Sequence, residues 1–395
     1  MDVTRRGLDL LVIQPTALCN LDCSYCYVPD RQNSQRLPLS LLEQLLSAVR
    51  SSALTHDQQE LKILWHAGEP LAAGIDYFRQ AFALTNRLVG DRFHIRHSIQ
   101  TNGTLITEAW CDLFRAHGVS LGVSLDGPAE LHDANRKTLG GGGSFTNVMR
   151  GIELLRAHDL RINVLTVLSA ENIDRPDEMF HFFLDHDLLQ VAFNVEEIEG
   201  PNLLSSLLPV AGGVTAARAR YGAFMRRFGR LNKEHGWAIT IREFLSLARL
   251  IGENREDPTH VPVAPERRLG GILTMSRDGA VSSWSPELAS GVPGAADRFA
   301  LGNIADVTSV DELLATERAR AMQKEIDRGV EMCAAECAYF GVCGGGSPGN
   351  KLYERGTFAA AETLKCALQT KELVEVVLAT FGRSDAAQAP AHGPH

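Results

Sequence analysis

Seven of the chain's eight cysteines stand in two islands, at spacings suited to metal ligation. Cys19, Cys23 and Cys26 fall within eight residues near the start, and Cys333, Cys337, Cys343 and Cys366 gather near the end, while Cys111 stands alone. Thiolates separated by three and then two residues can converge on one soft metal centre from a single loop. A structural zinc ion asks for a fourth ligand nearby, and His56 and His66 are both distant along the chain. An iron–sulfur cubane normally takes four cysteines, so three of them leave one iron open to bind a small molecule. A zinc knuckle or chance clustering is the plainer alternative. The four thiols of the second island suit either a four-cysteine zinc site or a fully ligated cluster.

Such groups need a scaffold, and the rest of the chain supplies one. An apolar stretch at 8–14 leads into the first island, and behind it segments of two periods alternate. Residues 61–66, 93–101, 119–125, 161–168 and 190–195 read as strands; 39–50, 75–88, 108–117, 146–158 and 176–186 read as helices. This alternation predicts parallel βα units in an α/β fold with six strands. In barrels of such units the working residues gather at the C-terminal strand ends. Polar motifs occur there in succession. The second strand ends in His66-Ala67-Gly68-Glu69-Pro70, where a glycine lets the main chain approach a ligand and a carboxylate can hold an ammonium group. The third ends in Gln100-Thr101-Asn102-Gly103, the fourth in Ser124-Leu125-Asp126-Gly127-Pro128, followed by His132-Asp133-x-x-Arg136, and the fifth in Leu168. Singly, Asn-Gly and Asp-Gly-Pro are ordinary turn sequences; their recurrence at successive strand ends points to a binding site.

Several segments admit two readings. The glycine run 140–143 before Ser144 is either a flexible linker or a mobile loop over the strand ends. The acidic run Glu196-Glu197-Ile198-Glu199 either grips a basic or polar peptide or is simply solvated. Cys111, in a predicted helix near Trp110 and Phe114, reads as a buried structural thiol. Further helices are expected at 214–228 and 241–251, then a connector at 252–268 with three prolines.

Of 395 residues, 39 are Lys or Arg and 48 Asp or Glu, a net charge of −9. That balance argues against nucleic acid and anionic membranes, which need a cationic footprint. No apolar run reaches the roughly 20 residues that span a bilayer. The stretch behind Arg5 and Arg6 is short and interrupted by Pro15, Cys19 and Asp22, so no signal peptide is expected. A cytoplasmic, reducing compartment follows, where cysteines serve as ligands or free thiols.

At Cys19-Asn20-Leu21-Asp22-Cys23-Ser24-Tyr25-Cys26-Tyr27, directly after the first strand, the chain resembles the radical S-adenosylmethionine (SAM) enzymes. The resemblance implies an open, partial (β/α)6 TIM-like barrel. It implies a four-iron four-sulfur cluster on Cys19, Cys23 and Cys26 whose unique iron binds the amino and carboxylate groups of SAM. The 66–70 motif is similar to the family's GGEP, with Ala67 for the first glycine, so Gly68 and Glu69 would bind the SAM amino group. Gln100, Thr101, Asn102, Ser124 and Asp126 look like ribose and carboxylate contacts, Arg136 like a bidentate partner for the carboxylate, and Leu168 like a surface for the adenine or a plain core leucine.

The second island is similar to the SPASM extension, whose usual pattern carries seven or more cysteines for two auxiliary clusters. Here the hairpin signal Arg277-Asp278-Gly279-Ala280-Val281 survives, but Trp284 stands near one expected cysteine and Ser347 takes the place of another. All ligands of one cluster are gone together, which implies a single auxiliary four-iron cluster on Cys333, Cys337, Cys343 and Cys366, acting as electron relay or structural anchor. Trp65 to Pro70, Phe193-Asn194-Val195-Glu196 and Gly344-Gly345-Gly346-Ser347-Pro348-Gly349-Asn350-Lys351 look like the cyclophane-forming radical SAM/SPASM peptide maturases, a match running from about Leu8 to Thr370. That resemblance implies removal of a Cβ hydrogen from a ribosomally made precursor peptide and a carbon–carbon crosslink to an aromatic side chain, with an electron donor such as flavodoxin or ferredoxin and Glu287 as the candidate base. Thioether-forming, epimerising and formylglycine-generating maturases are the alternatives, and a zinc- and peptide-binding protein is the alternative outside enzymes. The expected organisation is a barrel over 1–240, a connecting helix and linker over 241–268, a truncated SPASM/twitch-like domain over 269–383, and a disordered tail over 384–395. With Cys19 so early, no separate leader-binding domain is expected in front.

Overall fold

A computed structural model describes residues 7–208, 211–283 and 296–381. Its strands are β1 (Leu10–Ile13), β2 (Leu21–Cys23), β3 (Glu60–Trp65), β4 (His94–Thr101), β5 (Ser120–Ser124), β6 (Arg136–Thr138), β7 (Ile162–Leu168), β8 (Gln190–Val195), β9 (Thr240–Ile241), β10 (Ile272–Met275), β11 (Ala280–Ser283) and β12 (Ala300–Asn303). The helices of the first half are α1 (Leu39–Arg50), α2 (Ile75–Val89), α3 (Glu108–Ala116), α4 (Ala129–Asn135), α5 (Phe145–Ala157), α6 (Pro176–Asp185) and α7 (Gly213–Glu234). Those of the second are α8 (Arg242–Glu256), α9 (Ala296–Phe299), α10 (Val310–Leu314), α11 (Glu317–Glu336), α12 (Phe340–Cys343), α13 (Pro348–Arg355) and α14 (Leu373–Phe381).

The six expected strands are β1, β3, β4, β5, β7 and β8. They lie parallel and side by side in chain order. Every crossover therefore steps the same way, as in a βα barrel, with none of the reversal that marks a doubly wound sheet. Register aligns their C-terminal ends: Ile13 lies beside Trp65, Thr101 beside Val123, and Leu168 beside Val195. The strands alternate as a half-buried surface should. Leu61, Ile63 and Trp65 of β3 are fully buried, and α1 covers the sheet with Leu42, Leu45, Leu46 and Val49 at helical spacing. Trp65 meets Phe78 and Phe82 edge-on at 5.2 and 5.9 Å, contacts worth about 0.5–1.5 kcal/mol each. They fix the end of β3, where the 66–70 motif begins.

The C-terminal segment continues this same sheet. β10 pairs in parallel with β1 along four residues, and β11 and β12 extend the edge antiparallel. The outer edge of β1 would otherwise present unpaired N–H and C=O groups. The hairpin expected at 277–281 is the β10–β11 turn. Helix α7 runs six residues past its expected end, and α8 continues into the expected connector. Cys111 is fully buried in α3, and burial pushes its thiol up to about 11. Among the described residues no helix is long and apolar enough to cross a membrane. The tail at 384–395 lies outside the described residues.

Candidate functional site

Beyond β1 the chain turns into the loop of the first cysteine island, which is held from several sides. Cys19 N donates to the Arg31 carbonyl at 2.9 Å, and Cys26 N to the Cys23 carbonyl at 3.2 Å. A separate two-stranded sheet pairs β2 with β6, setting Cys23 opposite Arg136. Tyr25 is buried, its hydroxyl donates to Asp126, and the Arg136 guanidinium lies over its ring at 5.4 Å. Cys19 Sγ accepts from Leu21 N at 3.5 Å and lies 3.9 Å from Asn102 Nδ2. Burial, reinforced by Glu69, pushes the Cys19 thiol up to about 12; burial pushes Cys23 up to about 11 and raises Cys26 as well. Cys23 and Cys26 both press on Cys19. Three such thiols lose their protons together only when a cation enters.

At the end of β3, Ala67 and Gly68 both take left-handed backbone (φ 71° and 61°). A Cβ on Gly68 would stand 2.6 Å from the Ala17 carbonyl, so the 66–70 turn lies directly against the cysteine loop. Ala67, where the expected motif carries glycine, adopts this conformation at a cost of about 1–2 kcal/mol. Glu69 is buried and accepts from Thr101 Oγ1 (2.7 Å), Asn102 N (2.7 Å) and Leu71 N (3.0 Å). A carboxylate has about four acceptor positions, so one remains. Burial pushes this carboxyl up to about 7 despite its three donors. Asn102 Nδ2 also donates to Asn20 Oδ1 at 2.9 Å, and Gln100 Nε2 to Ser124 Oγ at 3.0 Å. Gly68, Glu69, Gln100, Thr101, Asn102 and Ser124 thus stand on three adjacent strand ends.

Asp126 and Arg136 are arranged otherwise than expected. Arg136 Nε and Nη2 are turned onto Asp126 at 2.9 and 3.1 Å, and Asp126 also accepts from Val167 N at 3.0 Å. The fork assigned to a ligand carboxylate is therefore engaged within the chain, because a buried guanidinium needs a buried anion. Leu168 is fully buried in the apolar core, as a plain core leucine. His132, unassigned from sequence, is buried between Asp126 N (3.3 Å to Nδ1) and Ser144 Oγ (2.9 Å to Nε2), and burial lowers it to about 4. The glycine run 140–143 is exposed and folds back on itself. It is a closed turn, with Lys137 bridged to Gly143 and Asp133 capping α5 through Ser144 N (2.8 Å) and Phe145 N (2.9 Å).

The second island assembles around a cavity. Cys333 rides on α11, Cys337 follows its end, Cys343 closes α12, and Cys366 opens a π-helix, Cys366–Glu372. Gly344, Gly345 and Gly346 all take positive φ (69°, 123° and 71°), a reversal that side chains would resist. All four cysteines line one cavity of ≈130 Å³. Burial, with Cys343 adding to it, pushes Cys366 up to about 12, and burial raises Cys333. Among the described residues no three His, Cys, Asp or Glu side chains are grouped tightly enough for a single metal ion.

The acidic run after β8 is neither solvated nor open. Glu197 pairs with Lys365 at 2.9 Å and accepts from Asn350 Nδ2 at 2.7 Å; Glu199 accepts from the same amide at 3.1 Å. Glu196 accepts from Ser206 N at 2.9 Å. Burial opposes the charge on Glu197, but Lys365 and Asn350 hold its carboxyl below the usual range. These carboxylates clamp the segments bearing the second island onto the barrel. Ser347, where the resemblance leads one to expect a cysteine, stands at the head of α13. Trp284 and Glu287 lie outside the described residues.

Residues 13–183 match the radical SAM superfamily. The chain is 42% identical over 392 residues to an uncharacterised protein of Synechocystis sp., covering 97% of this chain and 95% of that one. It is 28% identical to a serine-type anaerobic sulfatase-maturating enzyme of Bacteroides thetaiotaomicron, covering 87% and 83%. Its fold is similar to that of native anSMEcpe solved with bound AdoMet and Cp18Cys peptide, with a TM-score of 0.74, 23% identity and coverage of 94% and 96%.

Proposed function

The chain belongs to the radical SAM superfamily, and from that premise we propose that it is a peptide maturase that forms a carbon–carbon crosslink between a side-chain Cβ and an aromatic ring. The observation that carries the reading is the second island: four thiols line one cavity, and Ser347 stands where the resemblance to the two-cluster pattern leads one to expect a further cysteine. A single closed auxiliary site suits a reaction that releases one electron late.

Cys19, Cys23 and Cys26 are the proposed holders of the first cluster. Three half-buried thiols whose thiolates would repel one another, with no other soft donor in their loop, suit a cationic, sulfur-loving centre with one open corner. Reductive cleavage of SAM at such a cluster supplies a carbon radical able to take hydrogen from an unactivated carbon. The remaining acceptor position of Glu69 and the main chain at Gly68 would hold the amino end of SAM. Gln100, Thr101, Asn102 and Ser124 would line its nucleoside, and Asp126 with Arg136 positions the cysteine loop, leaving Arg136 Nη1 for the carboxylate. Cys333, Cys337, Cys343 and Cys366 would hold the auxiliary cluster, which supplies a one-electron acceptor. On the peptide, Cβ loses a hydrogen atom, the new bond forms to the ring, and the ring then gives up one proton and one electron. Glu287 is the proposed proton acceptor, and a flavodoxin or ferredoxin the proposed electron donor.

The anaerobic sulfatase-maturating relative favours a second reading, formylglycine formation. Both reactions on a serine peptide remove two hydrogens, so mass alone does not separate them. Incubated with SAM, reductant and the precursor peptide encoded beside it, the enzyme is expected to lower the peptide's mass by about two units per event, the two hydrogens of the oxidation. The product should ignore a carbonyl reagent and resist fragmentation between the joined residues. Labelling by a hydrazide would establish formylglycine, and unchanged peptide beside vigorous SAM cleavage would rule out both.

Glu69 gives a pH test. Its carboxyl is raised from about 4.5 to about 7 by burial, so the neutral form favours the folded, SAM-free protein. That stability is fully present below about pH 4.5 and lost as pH rises through about 7, a change of roughly 3 kcal/mol. Urea unfolding between pH 5 and 8 is expected to show the decline, and Glu69→Gln to flatten it. A wild-type profile already flat across that range would show that Glu69 is ionised throughout.

A further inference from the structure

Lys351 of α13 is only 3% exposed. Its ammonium donates to the Gly329 carbonyl at 2.9 Å and stands 3.5 Å from Cys333 Sγ. No Asp or Glu pairs with it among the described residues, and the titratable groups that act on it are Cys333, Cys343 and Cys366, which are anionic only as thiolates. A buried ammonium is unfavourable unless an anion faces it, and here, beside the Gly329 carbonyl, the nearest group able to become an anion is the Cys333 sulfur. The placement is fixed from outside: Asn350, the preceding residue, is held by Glu197 and Glu199, which anchors α13 to the barrel.

Resting on the reading above, we propose that Lys351 is a positioning residue for the auxiliary cluster, its fixed positive charge and its N–H contact to Cys333 favouring the reduced form. Uptake of one electron from the substrate-derived radical adds one negative charge to the cluster. The ring proton leaves separately, so a nearby cation is what offsets that charge, and Lys371, which also lines the cavity, is already paired with Glu362 at 3.1 Å. Charge and hydrogen bonds at the ligand sulfurs are among the factors that set cluster potentials. Lys351 supplies both at one sulfur.

The test is an EPR-monitored reductive titration of the anaerobically reconstituted full chain. SAM addition identifies the first cluster's signal by perturbing it, which leaves the auxiliary signal assigned. Lys351→Met is expected to lower the auxiliary cluster's reduction equilibrium at least tenfold, about 59 mV for one electron, and Lys351→Arg to restore most of it. A Lys351→Met protein with full iron and an unchanged potential would overturn the proposal. If Met loses the auxiliary irons, Lys351→Gln and Lys351→Arg decide. Loss or a lowered potential in Gln with retention in Arg upholds the role of charge, whereas loss in all three, or an unchanged potential in Gln, removes it. The functional reading fails differently: wild-type protein holding about four irons in place of about eight has no auxiliary cluster to tune.

Discussion

Replacing Cys19, Cys23 and Cys26 together by alanine is expected to remove about four of about eight irons per chain and to reduce SAM cleavage to background. Replacing Cys333, Cys337, Cys343 and Cys366 is expected to remove the other four irons, preserve SAM cleavage and end crosslinking. The asymmetry follows from the two donor sets. The first has three thiols in one loop, against strand ends that carry Glu69 and Asn102. The second has four thiols lining one cavity, enough to ligate every corner of a cubane. Iron quantification together with chromatographic assay of 5′-deoxyadenosine reads both outcomes. A triple variant that kept its full iron would place the cluster elsewhere, and zinc in wild-type protein at the first island would end the radical account.

The second large effect is expected at Asp126. Asp126→Asn leaves one neutral carbonyl facing the Arg136 fork and the Tyr25 hydroxyl, both buried. Breaking a buried pair by removing one partner costs about 3–5 kcal/mol, whereas replacing both by apolar residues is often neutral. Urea unfolding should therefore show a loss of that size for Asp126→Asn, and much of it should return in the double variant with Arg136→Met. SAM cleavage should fall in the single variant too, because Arg136 lies opposite Cys23 in the β2–β6 ladder. A loss below about 1 kcal/mol would mean that water shares the pair.

These two experiments differ in how far the sequence alone could have motivated them. The cysteine islands are legible because ligand spacing within a loop is fixed by covalent geometry. The strand ends are legible because a period of two against 3.6 is a local signal, and parallel βα units send their C-terminal ends to one rim. The Asp126–Arg136 pair is not legible. An arginine behind a strand end reads equally well as a ligand for a bound carboxylate, and only the folded loop shows that an aspartate ten positions earlier takes the fork first. The acidic run at 196–199 reads as solvated surface until Lys365 and Asn350, more than 150 positions away, arrive beside it. Nor does the pattern of β10 announce that it will extend the edge of β1.

By itself, the sequence determined the kinds of donors, their order, and the βα alternation that carries them. The tertiary structure decided which charged groups face inward and which side chains engage one another: Arg136 with Asp126, Lys365 with Glu197, Lys351 with Cys333. The division has a physical cause. Local spacing and periodicity depend on bonds and dihedral preferences that each short segment expresses alone. A buried charge is tolerable only where distant segments meet to neutralise it, and that meeting is a property of the packed chain.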